Sequence, residues 1–419
     1  MSRQLLILGG GTAGTIMANH LRRNLPAAGW RMTVVDRSEH HLYQPGFLFL
    51  PFGIYRESDI IRKTRRFLPR GVEFVQAEVN QIIPDRHAVT LQDGRELKYD
   101  ILIVATGCRT APEETEGMLG PKWRINVHDF YTLDGVRALR DKLAGFTGGR
   151  VVVHINEMPV KCPVAPLEFV FLADTFFRRR GIRDKVTLTY VTPLSGAFTK
   201  PKATEKLSHL LTDKGIEVVT DFVAERVDQE NDKLVCFDGR EVPYDLLVTI
   251  PTNMGDEAVR RSGLGDDLDF IPTHKHTLQS LQYPDVFVIG DATNLPASKA
   301  GSVAHFESGT LADNILLHIA GKPLKEEFDG HSNCFIESGN GKALLIDFNY
   351  EYEPHAGRFP FFFGPMKLLA ESRINHLGKL AFRYIYWHVL LKAWPLPGIR
   401  RRKRKPAGEQ PLKPTTPNA

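Results

Sequence analysis

Residues 5–36 read LLILGGGTAGTIMANHLRRNLPAAGWRMTVVD, which has the order strand, glycine turn, helix, strand that a dinucleotide site requires. Gly9, Gly11 and Gly14 match the GxGxxG pattern, Thr12 opens the predicted helix, and Asp36 ends the second strand. Such glycines let a pyrophosphate approach the helix N-terminus, and the acidic residue binds a ribose. The alternative is an ordinary tight turn, because the glycine pattern alone is weak.

An internal repeat divides the chain into two related units. DGRELKYDILIVATG at 93–107 recurs as DGREVPYDLLVTIPT at 238–252, an offset of 145 residues. Carried back to the first strand, this offset predicts that the second unit begins near Gly149, with a strand at 150–154. The sequence therefore predicts two α/β units of the same kind.

The second unit has lost the glycine turn of the first. Its opening strand is followed by NEMPVKCP at 156–163, which contains no glycine. Side chains and the missing N–H groups of two prolines would keep a second nucleotide away from this backbone. A later strand, VFVIGD at 286–291, ends in Gly290-Asp291 before a helix predicted over 302–319, where the chain returns to the first unit.

Length, charge and cysteine content narrow the class of protein. The 419 residues exceed what a single core usually holds. The net charge of +5 is due to six consecutive basic residues at 400–405. The four cysteines, at 108, 162, 236 and 334, lack metal-site spacing, so no metal is expected, and a disulfide among them would be catalytic. Met1 leads directly into an apolar strand, which predicts no signal peptide.

Several motifs together resemble a family of flavoproteins. The glycine turn, Thr106-Gly107 after a strand and the late Gly290-Asp291 are arranged as in flavoproteins with two dinucleotide-type domains. Within that superfamily, MPVKCPVAPLEF (158–169) resembles the sulfide:quinone oxidoreductases and the related flavin subunits of sulfide dehydrogenases. The stretches GDATNLPASKAGSVAHFE (290–307) and CFIESGNGKALLIDFNYEYEP (334–354) resemble the same family, with one of its divergent types as an option. The resemblance covers nearly the whole chain.

The resemblance implies an α/β fold with two Rossmann-like domains, the FAD-binding one discontinuous. We expect FAD in a domain of residues 1–115 and 266–325, beside a second domain at 116–265 that lacks the NAD(P) glycine motif. Residues 326–399 would form a C-terminal membrane-docking helical region with the quinone site, and 400–419 a disordered basic tail. Many members have a third cysteine that attaches the flavin. Residues 124–128 contain none, so FAD is expected to be noncovalent.

The resemblance also assigns roles to individual residues. Cys162 and Cys334, which are 172 positions apart, are the implied redox pair beside the flavin. Cys162 has independent support, because it follows a strand's carboxyl end, where ligand sites occur. Glu168 is the expected proton acceptor, unless it is a first-turn acid of a helix. Independently of the resemblance, His128 is a candidate for proton traffic, with a surface histidine as the alternative. Lys299 and His305, near Gly290-Asp291, are candidates for the cofactor side, and Cys108 and Cys236 are expected to be small buried hydrophobes.

The segment HLGKLAFRYIYWHVLLKA at 376–393 predicts an interfacial helix and not a spanning one, because four basic side chains interrupt it. Helical spacing puts His376, Lys379 and Arg383 on one face. The same spacing puts Tyr384, Trp387 and Leu391 on an apolar face suited to the headgroup zone. The resemblance adds a quinone site, with Lys379 bonding a carbonyl, Phe382 stacking on the ring, and Phe335 and residues 359–363 at the entry.

The leading hypothesis is a peripheral (monotopic) membrane enzyme that oxidises sulfide to polysulfide and passes electrons through FAD to a quinone. A type II NADH:quinone dehydrogenase is the alternative, although it needs a nicotinamide site that the glycine-free turn at 155–163 disfavours. A flavin-bearing binding protein whose basic tail holds nucleic acid is a third hypothesis, and no nucleic acid is expected under the first. Self-association into a homo-oligomer is left open.

Overall fold

The computed structural model describes residues 2–361 and 363–396. Its α-helices are α1 (Thr12–Asn24), α2 (Glu57–Ile60), α3 (Leu133–Gly145), α4 (Ala165–Arg179), α5 (Pro201–Asp213), α6 (Glu257–Ser262), α7 (Gly301–Ile319) and α8 (Arg373–Ile385). A π-helix, Tyr386–Leu390, continues α8 directly. The predicted tail at 400–419 lies outside the described residues.

The strands fall into three groups along the chain. The first group is β1 (Arg3–Leu8), β2 (Trp30–Asp36), β3 (His40–Leu42), β4 (Ile61–Lys63), β5 (Val72–Gln76), β6 (Val79–Ile83), β7 (Ala88–Leu91), β8 (Glu96–Lys98), β9 (Ile101–Val104) and β10 (Arg109–Ala111). The second is β11 (Val127–His128), β12 (Gly149–Ile155), β13 (Val186–Val191), β14 (Glu217–Val219), β15 (Ala224–Asp228), β16 (Lys233–Cys236), β17 (Glu241–Pro243), β18 (Leu246–Ile250) and β19 (Thr252–Met254). The third is β20 (Val286–Val288), β21 (Ser332–Gly339), β22 (Lys342–Phe348), β23 (Gly357–Phe359) and β24 (Met366–Leu368).

Two parallel five-stranded sheets form the two related units. The first has the order β20-β9-β1-β2-β5 and the second β11-β18-β12-β13-β14. Their central strands are continuous apolar runs, such as residues 5–8 of β1 and 246–250 of β18, and these residues are buried. Burial on both faces is what a parallel sheet covered by helices requires. The α/β fold class expected from the sequence is confirmed.

The repeat in the sequence corresponds to a repeat in space. β9 is the second strand in the order of the first sheet, and β18, at the offset of the repeat, is the second strand of the other sheet. The antiparallel sheets β6-β7-β8 and β15-β16-β17 are equivalent in the same way. The second unit opens with β12 at Gly149, and β10 pairs with β19 to join the units. β20 returns to the first sheet beside β9, which places the loop after Val288 next to the glycine turn.

The C-terminal part packs a four-stranded sheet, β21-β22-β24-β23, between the second unit and α8. β21 and β22 pair antiparallel as a hairpin. β21 lies against α4 and β22 lies against α8. This arrangement brings the strand that carries Cys334 against the helix that follows Cys162.

The apolar face predicted for the last helix is wrong in part. The helical period changes at Tyr386, where the N–H of Leu391 donates to the Tyr386 carbonyl five residues back. Trp387 and Leu391 are therefore turned into the core, and the Trp387 indole stacks on Phe67 with a centroid separation of 5.0 Å. The part of the chain that the structure describes contains no helix long and apolar enough to cross a membrane.

Candidate active site

One continuous cavity of about 520 Å³ runs from the glycine turn to α8. Its walls come from the β1–α1 turn, the β12–α4 loop, the start of α7, β21 and α8. Most of the residues predicted to act in the site line it, namely Gly9, Gly11, Thr12, Asp36, Thr106, Gly107, Cys162, Glu168, Gly290, Asp291, Lys299, His305, Cys334, Lys379 and Phe382. Elements far apart in the sequence therefore share one space.

The glycine turn is shaped by two close backbone approaches. Gly9 has φ of +99°, and a Cβ there would lie 2.3 Å from the Ala105 carbonyl oxygen. A Cβ on Gly14 would lie 1.9 Å from the Gly9 carbonyl oxygen, so neither position admits a side chain. By contrast, a Cβ on Gly11 would meet nothing within 4 Å. The turn is tight on its inner side and open at the helix N-terminus, as a pyrophosphate requires.

Asp36 lies at the end of β2 and is hydrogen-bonded to the glycine turn. Its carboxylate accepts hydrogen bonds from the N–H of Gly10 at 2.6 Å and of Ser38 at 2.8 Å. Burial raises the pKa of Asp36, although both backbone donors oppose the rise. A carboxylate has about four acceptor positions, so two remain for a ribose.

The loop after β20 forms the opposite wall of the cavity, at the end where the nucleotide is expected to bind. The Gly290 N–H donates to Glu307 at 2.7 Å, and burial raises the pKa of that carboxyl to about 7. Lys299 donates to the carbonyls of Asp291 and Thr293 at 3.0 and 2.6 Å. The Thr106 hydroxyl is buried with no partner among the described residues, as expected where a ligand supplies one. These features fit FAD.

A residue that sequence reasoning missed also reaches the glycine turn. The Tyr386 hydroxyl lies 2.7 Å from the Thr12 hydroxyl and 2.6 Å from Nε2 of His41, whose Nδ1 lies 3.1 Å from the Gly10 carbonyl oxygen. Burial lowers the pKa of His41 to about 4, so the ring is neutral at pH 7. Nδ1–H then donates to Gly10, Nε2 accepts from Tyr386, and Tyr386 accepts from Thr12. The C-terminal segment thus supports the cofactor loop.

Cys162 is held by its backbone in an uncommon conformation. Its φ of 49° is in the left-handed region, which non-glycine residues adopt most often at functional sites. Its N–H donates to the Lys299 carbonyl at 2.6 Å, and its carbonyl accepts from the Tyr131 hydroxyl at 3.0 Å. The loop that replaces a second glycine turn is therefore attached to the first unit's cofactor wall.

Cys334 reaches the same cavity from β21, and both cysteines are free thiols. Burial raises the pKa of Cys162 to about 12, Glu168 adds to the rise, and Lys379 opposes it. Burial raises the pKa of Cys334 to about 11, again against Lys379. Both thiols are protonated at neutral pH, so thiolate formation needs a base nearby.

Glu168, on α4, and Lys379, on α8, form a buried ion pair. The same oxygen of Glu168 accepts from the Glu337 N–H at 2.7 Å, while Lys379 also donates to the Phe335 carbonyl at 3.1 Å. Burial raises the pKa of Glu168 to about 7, against the lowering effect of Lys379. The second oxygen, Oε2, is buried with no partner among the described residues. A carboxyl that titrates near neutral pH is suited to proton transfer.

Other predicted residues lie elsewhere. His128, on β11, is buried outside the cavity lining, with Nε2 3.0 Å from the Ile125 carbonyl oxygen. Burial lowers its pKa to about 4. Cys236 is buried, as predicted, but the same prediction for Cys108 is wrong, because Cys108 lines the cavity with its sulfur 3.9 Å from Asp291. Of the expected entry residues, Phe335 and Phe359 line the cavity, whereas Phe361 and Phe363 are exposed.

Comparisons with known proteins agree with this geometry. Residues 3–154 match the family model described as pyridine nucleotide-disulphide oxidoreductase. The mitochondrial sulfide:quinone oxidoreductase of Mus musculus is 28% identical over 95% of this chain and 89% of its own length. The solved sulfide:quinone oxidoreductase of Aquifex aeolicus is 21% identical, with a TM-score of 0.77 over 94% of this chain and 92% of that one. The predicted resemblance to the sulfide:quinone oxidoreductases is confirmed.

The NADH dehydrogenase alternative corresponds to a more distant neighbour. NDH2 of Plasmodium falciparum, solved with NADH, is 12% identical, with a TM-score of 0.67 over 94% of this chain and 96% of that one. At that identity the likeness concerns the fold alone. The turn after β12 contains no glycine, and its Lys161 and Cys162 face the first unit's cavity.

We expect Tyr386→Phe to weaken FAD binding by about tenfold, because its hydrogen bonds to Thr12 and to His41, which contacts the Gly10 carbonyl, are lost. Together these bonds are worth about 1–3 kcal/mol. The measurement is the FAD dissociation constant of the apoprotein, followed by quenching of flavin fluorescence. Tyr384→Phe is the matched control, since Tyr384 is 67% exposed. An unchanged dissociation constant in Tyr386→Phe would show that the C-terminal segment does not support the loop.

Proposed function

We propose that this chain oxidises sulfide to polysulfide at Cys162 and Cys334 and passes the electrons, through noncovalent FAD, to a membrane quinone. The observation that carries the proposal is the single cavity that joins the glycine turn, both cysteines and the Glu168–Lys379 pair. Cysteines 172 residues apart meet there beside the place expected for the flavin. The relatives named sulfide:quinone oxidoreductase support this reaction over most of the chain.

On the sulfur side the two cysteines alternate between a sulfur-bridged and an open state. Hydrosulfide attacks the bridge, one sulfur–sulfur bond breaks, and a persulfide forms on one cysteine while the other leaves as a thiolate. Closing the bridge again with the added sulfur releases two electrons and one proton. Glu168 is placed to take that proton, and Lys379 stabilises the thiolate, since both side chains act on Cys162 electrostatically.

On the quinone side, reduction takes two electrons and two protons. FAD, when bound, supplies the two-electron relay between the sulfur and the quinone. Lys379 and Phe382 line the α8 end of the cavity, where an ammonium hydrogen-bonds a quinone carbonyl and an aromatic ring stacks on the quinone. Glu168, paired with Lys379, is the carboxyl assigned to supply a proton to that carbonyl. One carboxyl would thus serve both half-reactions.

We infer the membrane-docking surface from α8, whose charged face points inward and whose apolar face points outward. His376, Lys379 and Arg383 point inward to carboxylates, whereas Ile374, Leu377, residue 381 and Tyr384 form an exposed apolar stripe. A helix in water normally buries its apolar face and exposes its charges. The reverse arrangement fits a membrane surface, to which the exposed Phe361, Phe363 and Trp394 add aromatic area. This is the partner proposed for the C-terminal region.

We expect the Cys162→Ala and Cys334→Ala variants to lose sulfide-dependent quinone reduction by about a hundredfold or more, because each lacks one sulfur of the bridge. The measurement is reduction of a water-soluble quinone by purified holoprotein with sulfide. Cys236→Ala, which alters a buried cysteine outside the cavity, is the control and should retain activity. Full activity in the double variant would overturn the proposal, and rapid flavin bleaching by NADH alone would favour the dehydrogenase alternative.

We expect Leu377→Glu to reduce binding to anionic phospholipid vesicles by about tenfold, because it removes an inserted apolar side chain worth about 1.5–3 kcal/mol. Vesicle sedimentation measures the bound fraction. Leu281→Glu is a matched control, since Leu281 is 62% and Leu377 is 61% exposed. Equal binding by both variants and the unaltered protein would exclude this stripe as the docking surface.

We expect the rate at which quinone reoxidises the dithionite-reduced protein to fall as the pH rises through about 7, because Glu168 then loses the proton it donates. Glu168→Gln should be slower and should lack this inflection, while its amide oxygen still accepts from the Glu337 N–H. Stopped-flow flavin absorbance gives both profiles without sulfide, whose own ionisation would otherwise interfere. The same inflection in Glu168→Gln would assign the titration to another group.

A further inference from the structure

The quinone half-reaction needs a proton from solvent. With the sulfur bridge written RSSR, the balance is HS⁻ + RSSR + quinone + H⁺ → RSSSR + quinol. The sulfide side releases one proton and the quinone takes two, so each turnover draws one proton from water. Glu168 cannot take it up directly, because its side chain is 1% exposed, and Lys379 beside it is 13% exposed.

A second carboxyl, Glu337, lies in the wall behind this ion pair. Its side chain is fully buried, and both of its oxygens lie 2.9 Å from Nδ1 of His376. The His376 side chain is 22% exposed and precedes Lys379 by one turn of α8. A fully buried carboxylate that contacts one imidazole nitrogen through both oxygens is an uncommon arrangement. The histidine side chain also reaches water, and neither half-reaction described above uses this pair.

Glu337 interacts with Glu168 and Lys379 as well as with the partly exposed His376. Burial is the main cause of the raised pKa of Glu168, and the Glu337 charge adds to it. Burial works to lower the pKa of Lys379, but Glu168, Cys162 and Glu337 outweigh it and raise it. The Glu337 N–H also donates to the Glu168 carboxylate, which fixes β21 against α4.

The groups that face Glu337 come from several elements. They are His376 and Lys379 from α8, Glu168 from α4 and Tyr55 from the segment before α2. Burial raises the pKa of Tyr55 to about 12, so its hydroxyl stays protonated over the working range. Of these groups, His376 is the one that both contacts the Glu337 carboxylate and reaches solvent.

We propose that His376 and Glu337 form the solvent end of a proton-transfer route that resupplies Glu168 during quinone reduction. The proposal rests on the proposed function and assigns its proton supply. His376 takes a proton from water and passes it to Glu337 through their hydrogen bond. The Glu337 carboxyl then passes the proton to Glu168, within the group of charges formed by Glu337, Glu168 and Lys379. No electron moves in these steps, and one proton enters per quinol formed.

The test is reoxidation of the dithionite-reduced holoprotein by a water-soluble quinone, with a pH-indicator dye to follow proton uptake. In His376→Gln we expect both reoxidation and proton uptake to slow by about ten- to a hundredfold above pH 7, where protons are scarce. Added imidazole should restore the rate. His388→Gln, on the same C-terminal segment, is the control and should behave like the unaltered protein.

Glu337→Gln is the second variant, because the amide retains the size of the side chain while losing the negative charge and the capacity to carry the proton. It should slow proton uptake as His376→Gln does, without rescue by imidazole. Unchanged uptake in both variants, or a slow rate with neither pH dependence nor imidazole rescue, would overturn the route. Failure of the proposed function is distinct, since the unaltered protein would then show no flavin bleaching by sulfide.

Discussion

The rest of the site depends on the ion pairs that fix the inner face of α8. His376, Lys379 and Arg383 bind Glu337, Glu168 and Asp59, which belong to β21, α4 and α2. Burying charges is costly unless each has a partner, so the net stability gained is small. Removing one partner of the buried Glu168–Lys379 pair, however, leaves an uncompensated charge, at a cost of about 3–5 kcal/mol. These pairs therefore fix the helix rotation more than they add stability, and that rotation turns the apolar stripe outward.

The loss of a glycine turn explains how the second unit contributes to the first unit's cavity. The glycine-free β12–α4 loop is tied to the cofactor wall through the Cys162 N–H and the Lys299 carbonyl. The following helix then presents Glu168 from its first turn, and β21, packed on that helix, presents Cys334. The spacing of the reactive groups is thus set by helix–strand packing, which an interval of 172 residues does not reveal.

Sequence reasoning succeeded where a local pattern has a single structural outcome. The GxGxxG turn and the repeat predicted both parallel sheets, since these depend on short-range geometry and continuous apolar strands. The placement of Trp387 was wrong because a π-turn at Tyr386 changes the helical period, and composition does not signal that change. Tyr386 was missed for the same reason. His128 and Cys108 were misplaced because burial depends on packing between units, which no local motif encodes.

The position of Glu168 constrains the order of chemical events. It lies in the electrostatic field of Cys162 and in direct contact with Lys379. Under the proposed function, the proton from sulfur and the proton for quinone would therefore occupy one group. A single carboxyl cannot hold both. It must therefore deliver its proton to the quinone before the next sulfide arrives, or exchange it with another group. Burial raises its pKa to about 7, so near neutral pH this carboxyl can both take up and release a proton. A buried acid that serves both half-reactions would need a connection to water, and α8 carries a partly exposed side chain, His376, one turn before Lys379.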